Sequence, residues 1–221
     1  MSSPTTHRPT SDEDLLGMRL AHRVMRRDAA RLVRVADELA ADPSGFGTRR
    51  RAALAAYLDL FLASIHHHHT VEDEALWPLI VASAGPHTDL TELTDDHRAL
   101  DPLLDEIRGH AHAGADRTAA VGLAVSLHQL RDLLDEHIED EERTVFPLVT
   151  GFVPADAWAR FEQHAQRGGR MGFELTRAFA VMTPDELAWV RGRVPMVVRG
   201  IVFACGGRQR RRERLVFGVE N

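Results

Sequence analysis

The stretch His68-His69-Thr70-Val71-Glu72-Asp73-Glu74-Ala75-Leu76-Trp77-Pro78-Leu79-Ile80 has a second copy further along the chain. That copy, His137 to Val149, aligns on it without a gap: His68 falls on His137, Glu72 on Glu141, Trp77 on Phe146, Pro78 on Pro147 and Leu79 on Leu148. In each copy a histidine and a glutamate stand four residues apart, which on a helix places both on one face, a turn from each other. Each copy is preceded by a segment with one histidine in a similar setting, Ala21-His22-Arg23-Val24-Met25 and Asp96-His97-Arg98-Ala99-Leu100. The chain therefore holds two copies of one unit: a helix with a single His, then a helix with His-x-x-x-Glu. Two such units can close into a bundle with pseudo-two-fold symmetry.

Outward from the repeat, the first 150 residues read as four helices. Thr10 with Glu13 forms a capping box before Leu15, Met18, Leu20, His22, Met25, Ala29, Leu32 and Val35, which recur with a loosely helical period. Asp42-Pro43-Ser44-Gly45 ends that helix, and a second runs from about Thr48 to Ser83 before Gly85-Pro86. A third, from Asp89 or Thr94 to His112, carries Pro102 as a kink; a fourth runs from Ala115 to Thr150. Short loops between long helices favour antiparallel neighbours, so the fold class is all-α, an up-down-up-down four-helix bundle over residues 11–150. Residues 151–221 form a helical appendage with a basic tail, its segments starting at Pro154, at Met171 and at the cap Thr183-Pro184-Asp185-Glu186.

Composition narrows the functional classes. The 221 residues include one cysteine, Cys205, so no internal disulfide and no all-cysteine metal site is possible. All 27 basic residues are arginine, and the 13 histidines cluster. Net charge is −6 but divided unevenly: from Arg191 on, eight arginines stand against Glu213 and Glu220, leaving −12 on the first 190 residues. The opening segment is polar, and the apolar run Val194–Cys205 is too short to span a bilayer, so a cytoplasmic protein is expected. No glycine-rich phosphate loop is present, and Cys205 has no histidine nearby in sequence.

Four imidazoles and two carboxylates facing inward from four helices cannot stay bare, because buried polar and charged groups need partners. Two metal ions account for that number of groups. Each would take two histidines, from His22, His68, His97 and His137, while Glu72 and Glu141 could bridge. Mixed imidazole and carboxylate donors suit two iron ions, Fe2+ or Fe3+, ahead of manganese or zinc. Of the remaining residues, Asp101 stands between an extra ligand and a surface acid. His66 and His67 read as outside the site; His69, which makes a competing four-residue register with Asp73, stays with Asp101 and Glu142 as a further candidate ligand behind the six. Asp73, Glu74, Asp140 and Glu142 read as acids beside the ligands or on the surface. His110, His112, His128 and His164 lack partners at ligand spacing, and Trp77 and Phe146 read as core.

The set His22, His68-x-x-x-Glu72, His97, His137-x-x-x-Glu141 resembles the hemerythrin-like (HHE cation-binding) proteins. The resemblance implies a diiron site that binds or reacts with oxygen, hydrogen peroxide or nitric oxide under oxidative or nitrosative stress. Oxygen-carrying hemerythrins have a fifth histidine where this chain has Asp101. They also place the last carboxylate five residues after its histidine, where this chain has Glu142. The four-His, two-Glu set is more similar to bacterial proteins that repair iron centres after nitrosative damage, without their Cys-containing N-terminal part. The expectation is therefore a diiron protein handling one of these small oxidants, with or without turnover as an enzyme. The alternative is a non-enzymatic iron or redox sensor working through its basic tail. No nucleic acid partner is expected; the tail could give weak contact with a membrane surface or a protein.

Overall fold

The computed structural model describes residues 8–114, 116–193 and 196–218. The polar opening segment to residue 7, Ala115, and Val194 with Pro195 at the head of the apolar run lie outside them. The long helices are α1 (Leu16–Ala41), α2 (Thr48–Val71), α4 (Thr91–His112) and α5 (Arg117–Phe152). Between α2 and α4, a π-helical turn (Glu72–Leu76) runs straight into α3 (Trp77–Ala84). Four shorter elements follow: α6 (Ala155–Ala165), α7 (Met171–Val181), α8 (Pro184–Arg193) and α9 (Met196–Phe217). No strand forms among the described residues, and no described helix is long and apolar enough to cross a membrane.

Cross-helix pairs fix the antiparallel order. His22 meets Glu142 while Arg26 meets Asp135, so α1 and α5 run oppositely. Asp73 meets His97 while Asp59 meets His112, which sets the ligand-bearing hairpin against α4. Glu106 meets Ser126 while Asp96 meets His137, which does the same for α4 and α5. The expected up-down-up-down bundle is thus present. Its core holds Leu32, Leu58, Phe61, Ile65, Leu104, Leu127 and Leu134, all nearly inaccessible. Each such side chain contributes about 1.5–3 kcal/mol of burial.

Helix ends follow local chemistry in places. Asp116 caps α5 by accepting from the Ala119 N–H at 3.0 Å. Thr183 and Glu186 form a reciprocal capping box for α8, and Glu186 also grips Arg23 of α1. The Thr10–Glu13 capping box does not form. Thr10 is buried and its hydroxyl donates to the Val153 carbonyl at 2.7 Å, which ties the chain start to the end of α5, and α1 begins only at Leu16.

The seam between α1 and α2 is the loosest side of the bundle, and α7 and α9 lie against it. Its centre is a buried polar knot. Asp28 Oδ2 accepts from Tyr57 Oη at 2.6 Å and from Arg177 Nε at 2.7 Å. Arg31 lies 3.7 Å from the other carboxylate oxygen and its guanidinium sits over Phe217. The C-terminal helices are therefore joined to the bundle through its interior.

Candidate metal centre

Within one end of the bundle, two groups of donor atoms converge, each with all its atoms within 4.8 Å of one another. One comprises His22, His68, Glu72 and Glu141; the other comprises His69, Glu72, His97 and His137. Glu72 belongs to both. The structure thus brings together His22, His68, Glu72, His97, His137 and Glu141, and adds His69. Asp101 stays outside: it is exposed and pairs at 3.1 Å with His66 on the surface. Glu142 lies at the edge of the cluster, 2.8 Å from the Nδ1 of His22 rather than among the donors.

His69, which the sequence offered only as a further candidate behind the six, lies among the donors. It is buried, with its ring stacked 4.2 Å from that of His97. On a helix, Glu72 projects between the residues three and four positions before it, so His69 and His68 flank it from either side. A signal was available: the residue aligned with His69 in the repeat is Ile138, an apolar core residue.

Three carboxylates orient the rings. His22 Nδ1 is 2.8 Å from Glu142, His97 Nδ1 is 3.0 Å from Asp73, and His137 Nδ1 is 3.2 Å from Asp96. An Nδ1–H held by a carboxylate leaves the Nε2 lone pair facing inward and makes it more basic. Asp73 and Glu142 occupy equivalent positions of the repeat, and each holds the histidine supplied by the opposite half. The aromatic equivalents do the same. Trp77 stacks on His97 and Phe146 on His22, each with ring centroids 6.0 Å apart.

The inward donors fit a metal and little else. His22, His68 and His69 Nε2, and both oxygens of Glu72 and Glu141, are buried without a well-aligned hydrogen bond, with His68 Nε2 2.8 Å from Glu72 and His22 Nε2 3.3 Å from Glu141. His97 and His137 point their Nε2 atoms at each other across 3.1 Å. Buried polar atoms are rarely left this way, and seven of them meeting at two points are what a dication pair would satisfy. Charge in the metal-free cluster is correspondingly strained. Burial works against a charge on His22, but Glu141 and Glu142 outweigh it and hold the ring up at about 10. Burial pushes Glu72 well above the usual carboxylate range, with Glu141 adding to the effect. Burial also pushes His68 down to about 4 and His69 well below its ordinary value.

A search of curated proteins and of solved structures found no match to the chain. A family model does match: the hemerythrin HHE cation-binding domain, over residues 17–149, a span that takes in nearly all of the four long helices and every donor named above. With a buried His/Glu cluster able to bind metal lying inside the matched span, the chain belongs to the hemerythrin HHE cation-binding family.

Proposed function

We propose that the cluster holds two iron ions and that the pair reacts with a small oxidant: oxygen, hydrogen peroxide or nitric oxide. The observation carrying this reading is the convergence of five imidazoles and two carboxylates inside the bundle into two groups sharing Glu72. His22, His68 and Glu141 would hold one ion, His69, His97 and His137 the other, with Glu72 between them. Iron bound there would supply neighbouring redox-active Lewis acids able to take up and exchange electrons with a diatomic or peroxide.

The protein's own residues set the conditions. Glu142, Asp73 and Asp96 fix ring orientation before any ion arrives. Trp77, Phe146, Leu76, Val145 and Trp158 belong to an apolar cluster that closes this end against bulk water. A groove between α4 and α5, lined by Asp96, Leu100, Leu133 and Asp140, reaches His137 and offers a small molecule a way in. Asp101, where oxygen-carrying hemerythrins have a histidine, pairs outward with His66, and the fifth imidazole of the cluster comes from His69 instead.

The test is anaerobic reconstitution with Fe(II), metal analysis, and spectra after separate additions of oxygen, peroxide and nitric oxide. About two irons per chain and near-ultraviolet charge-transfer bands in the oxidised protein are expected. His68→Ala or Glu141→Ala retaining full iron and the same bands would refute the site, and manganese or zinc retained in preference to iron would refute the metal. The buried Asp28–Arg177 tie favours a second reading, an iron or redox sensor signalling through its C-terminal helices. In that case loading alters protease sensitivity beyond residue 151 with negligible peroxide turnover.

A further inference from the structure

The outer face of α9 is a strip of uncompensated arginine on an acidic protein. At 100° per residue, Arg208, Arg210, Arg211 and Arg214 fall within about 160° of the helix circumference. All four are exposed, while Gln209 and Val216 on the opposite side are buried. The stretch has one acid, Glu213, which is half-buried and accepts from Gln209 at 2.9 Å. Among the described residues no carboxylate pairs with any of the four. Their neighbour Arg212 is spent differently, bonding Gln209 and lying near Phe173. Gly172 sits so close to α9 that a Cβ on it would meet Cys205 Sγ at 2.8 Å, which holds the start of α7 against the packed side of this helix.

We propose that this face docks on an anionic lipid surface. Clusters of four or more arginines on one side of an amphipathic helix have the charge such a surface attracts. The form of the strip favours a plane over a nucleic acid. The apolar side of α9 is used against α2 and α7, so the helix lies flat on the bundle and does not project as a groove-entering helix must. Its described exposed residues include no aromatic ring on which bases could stack. The −12 charge on the first 190 residues does not cancel this, because charges more than about 8 Å away are largely screened at physiological salt.

The test is co-sedimentation of the iron-loaded full chain with vesicles of phosphatidylcholine alone and of phosphatidylcholine mixed with phosphatidylglycerol. Each arginine near an anionic surface contributes about a factor of five, so four give a preference on the order of several hundred-fold. Binding is expected only to the mixed vesicles, falling as salt is raised. It should be lost in Arg208→Gln/Arg210→Gln/Arg211→Gln/Arg214→Gln, with helical content and bound iron unchanged. The half-variants Arg208→Gln/Arg211→Gln and Arg210→Gln/Arg214→Gln keep the test sound if the fourfold change unfolds the protein; each should lose on the order of twenty-fold. Equal sedimentation with both vesicle types, no effect of the arginine changes, or tighter capture by a duplex oligonucleotide than by the mixed vesicles would overturn the proposal.

Discussion

Replacing Arg177 with methionine isolates the tie between the C-terminal helices and the bundle. Arg177 and Asp28 have side chains 1% and 2% exposed, with Nε and Oδ2 2.7 Å apart. Breaking a buried pair from one side costs about 3–5 kcal/mol, because the remaining charge stays buried without its partner. Arg177→Met belongs at the low end, about 3 kcal/mol, since Asp28 keeps the Tyr57 hydroxyl at 2.6 Å and Arg31 at 3.7 Å. Asp28→Asn belongs at the high end, about 4–5 kcal/mol, since it takes the carboxylate charge away from two buried guanidiniums at once, Arg177 at 2.7 Å and Arg31 at 3.7 Å. For a chain of this size, 3 kcal/mol lowers the melting temperature by about 6–12 °C. The triple change Asp28→Leu/Tyr57→Phe/Arg177→Met removes charge and hydroxyl together, and Arg31 keeps its place over Phe217, so most of the loss should return. Urea unfolding of the metal-free protein, followed by circular dichroism, measures all three. An Arg177→Met cost below about 1 kcal/mol, or a triple variant no more stable than Arg177→Met, would refute the reasoning.

Three further outcomes follow from the same geometry. His69→Ala should lower bound iron from about two per chain toward one, whereas Asp101→Ala should leave it unchanged; metal analysis of the pair decides between them. Asp73→Asn and Glu142→Gln keep the shape of the side chain but weaken its hold on the ring, so each should reduce iron affinity by about 10–100-fold in a chelator competition. Glu162, half-buried on α6, is raised from 4.5 to about 7 by burial, with Asp14 adding to the shift. A raised carboxyl binds more protons folded than unfolded, so its contribution is present at low pH and is lost as pH climbs from about 4.5 to about 7. Allowing for its partial exposure, the loss is about 1–2 kcal/mol, and Glu162→Gln should flatten that part of the stability–pH curve.

The bundle was legible because its information is local. Helix periodicity, the loop signals and the four-residue spacing of His and Glu all operate within a few turns, and the repeat states them twice. His69 was harder, because adjacent histidines differ by 100° and only the phase of the helix tells which faces inward. Pairing it with Asp73 gave a valid spacing but the wrong neighbour: Asp73 turns to His97 on another helix. No local pattern gives that contact, nor the pairing of Asp96 with His137. The position of residues 151–221 was likewise not written in their own periodicity. It depends on a gap between α1 and α2 and on Asp28, a lone acid in a buried stretch of α1 that finds its partner 149 residues later. Thr10 failed as a cap for a related reason: a hydroxyl that suits a helix start also suits a carbonyl arriving from elsewhere.

The crossing of Glu142 to His22 and of Asp73 to His97 makes the site indivisible. Each half of the repeat brings one histidine, His22 or His97, whose orientation is held by a carboxylate of the other half, so neither hairpin alone can present a prepared site. A chain opened in the loop at Gly85-Pro86 would yield two pieces that are competent only face to face. Metal uptake would then report their assembly, and the last step of folding would coincide with the first in which an ion is welcome.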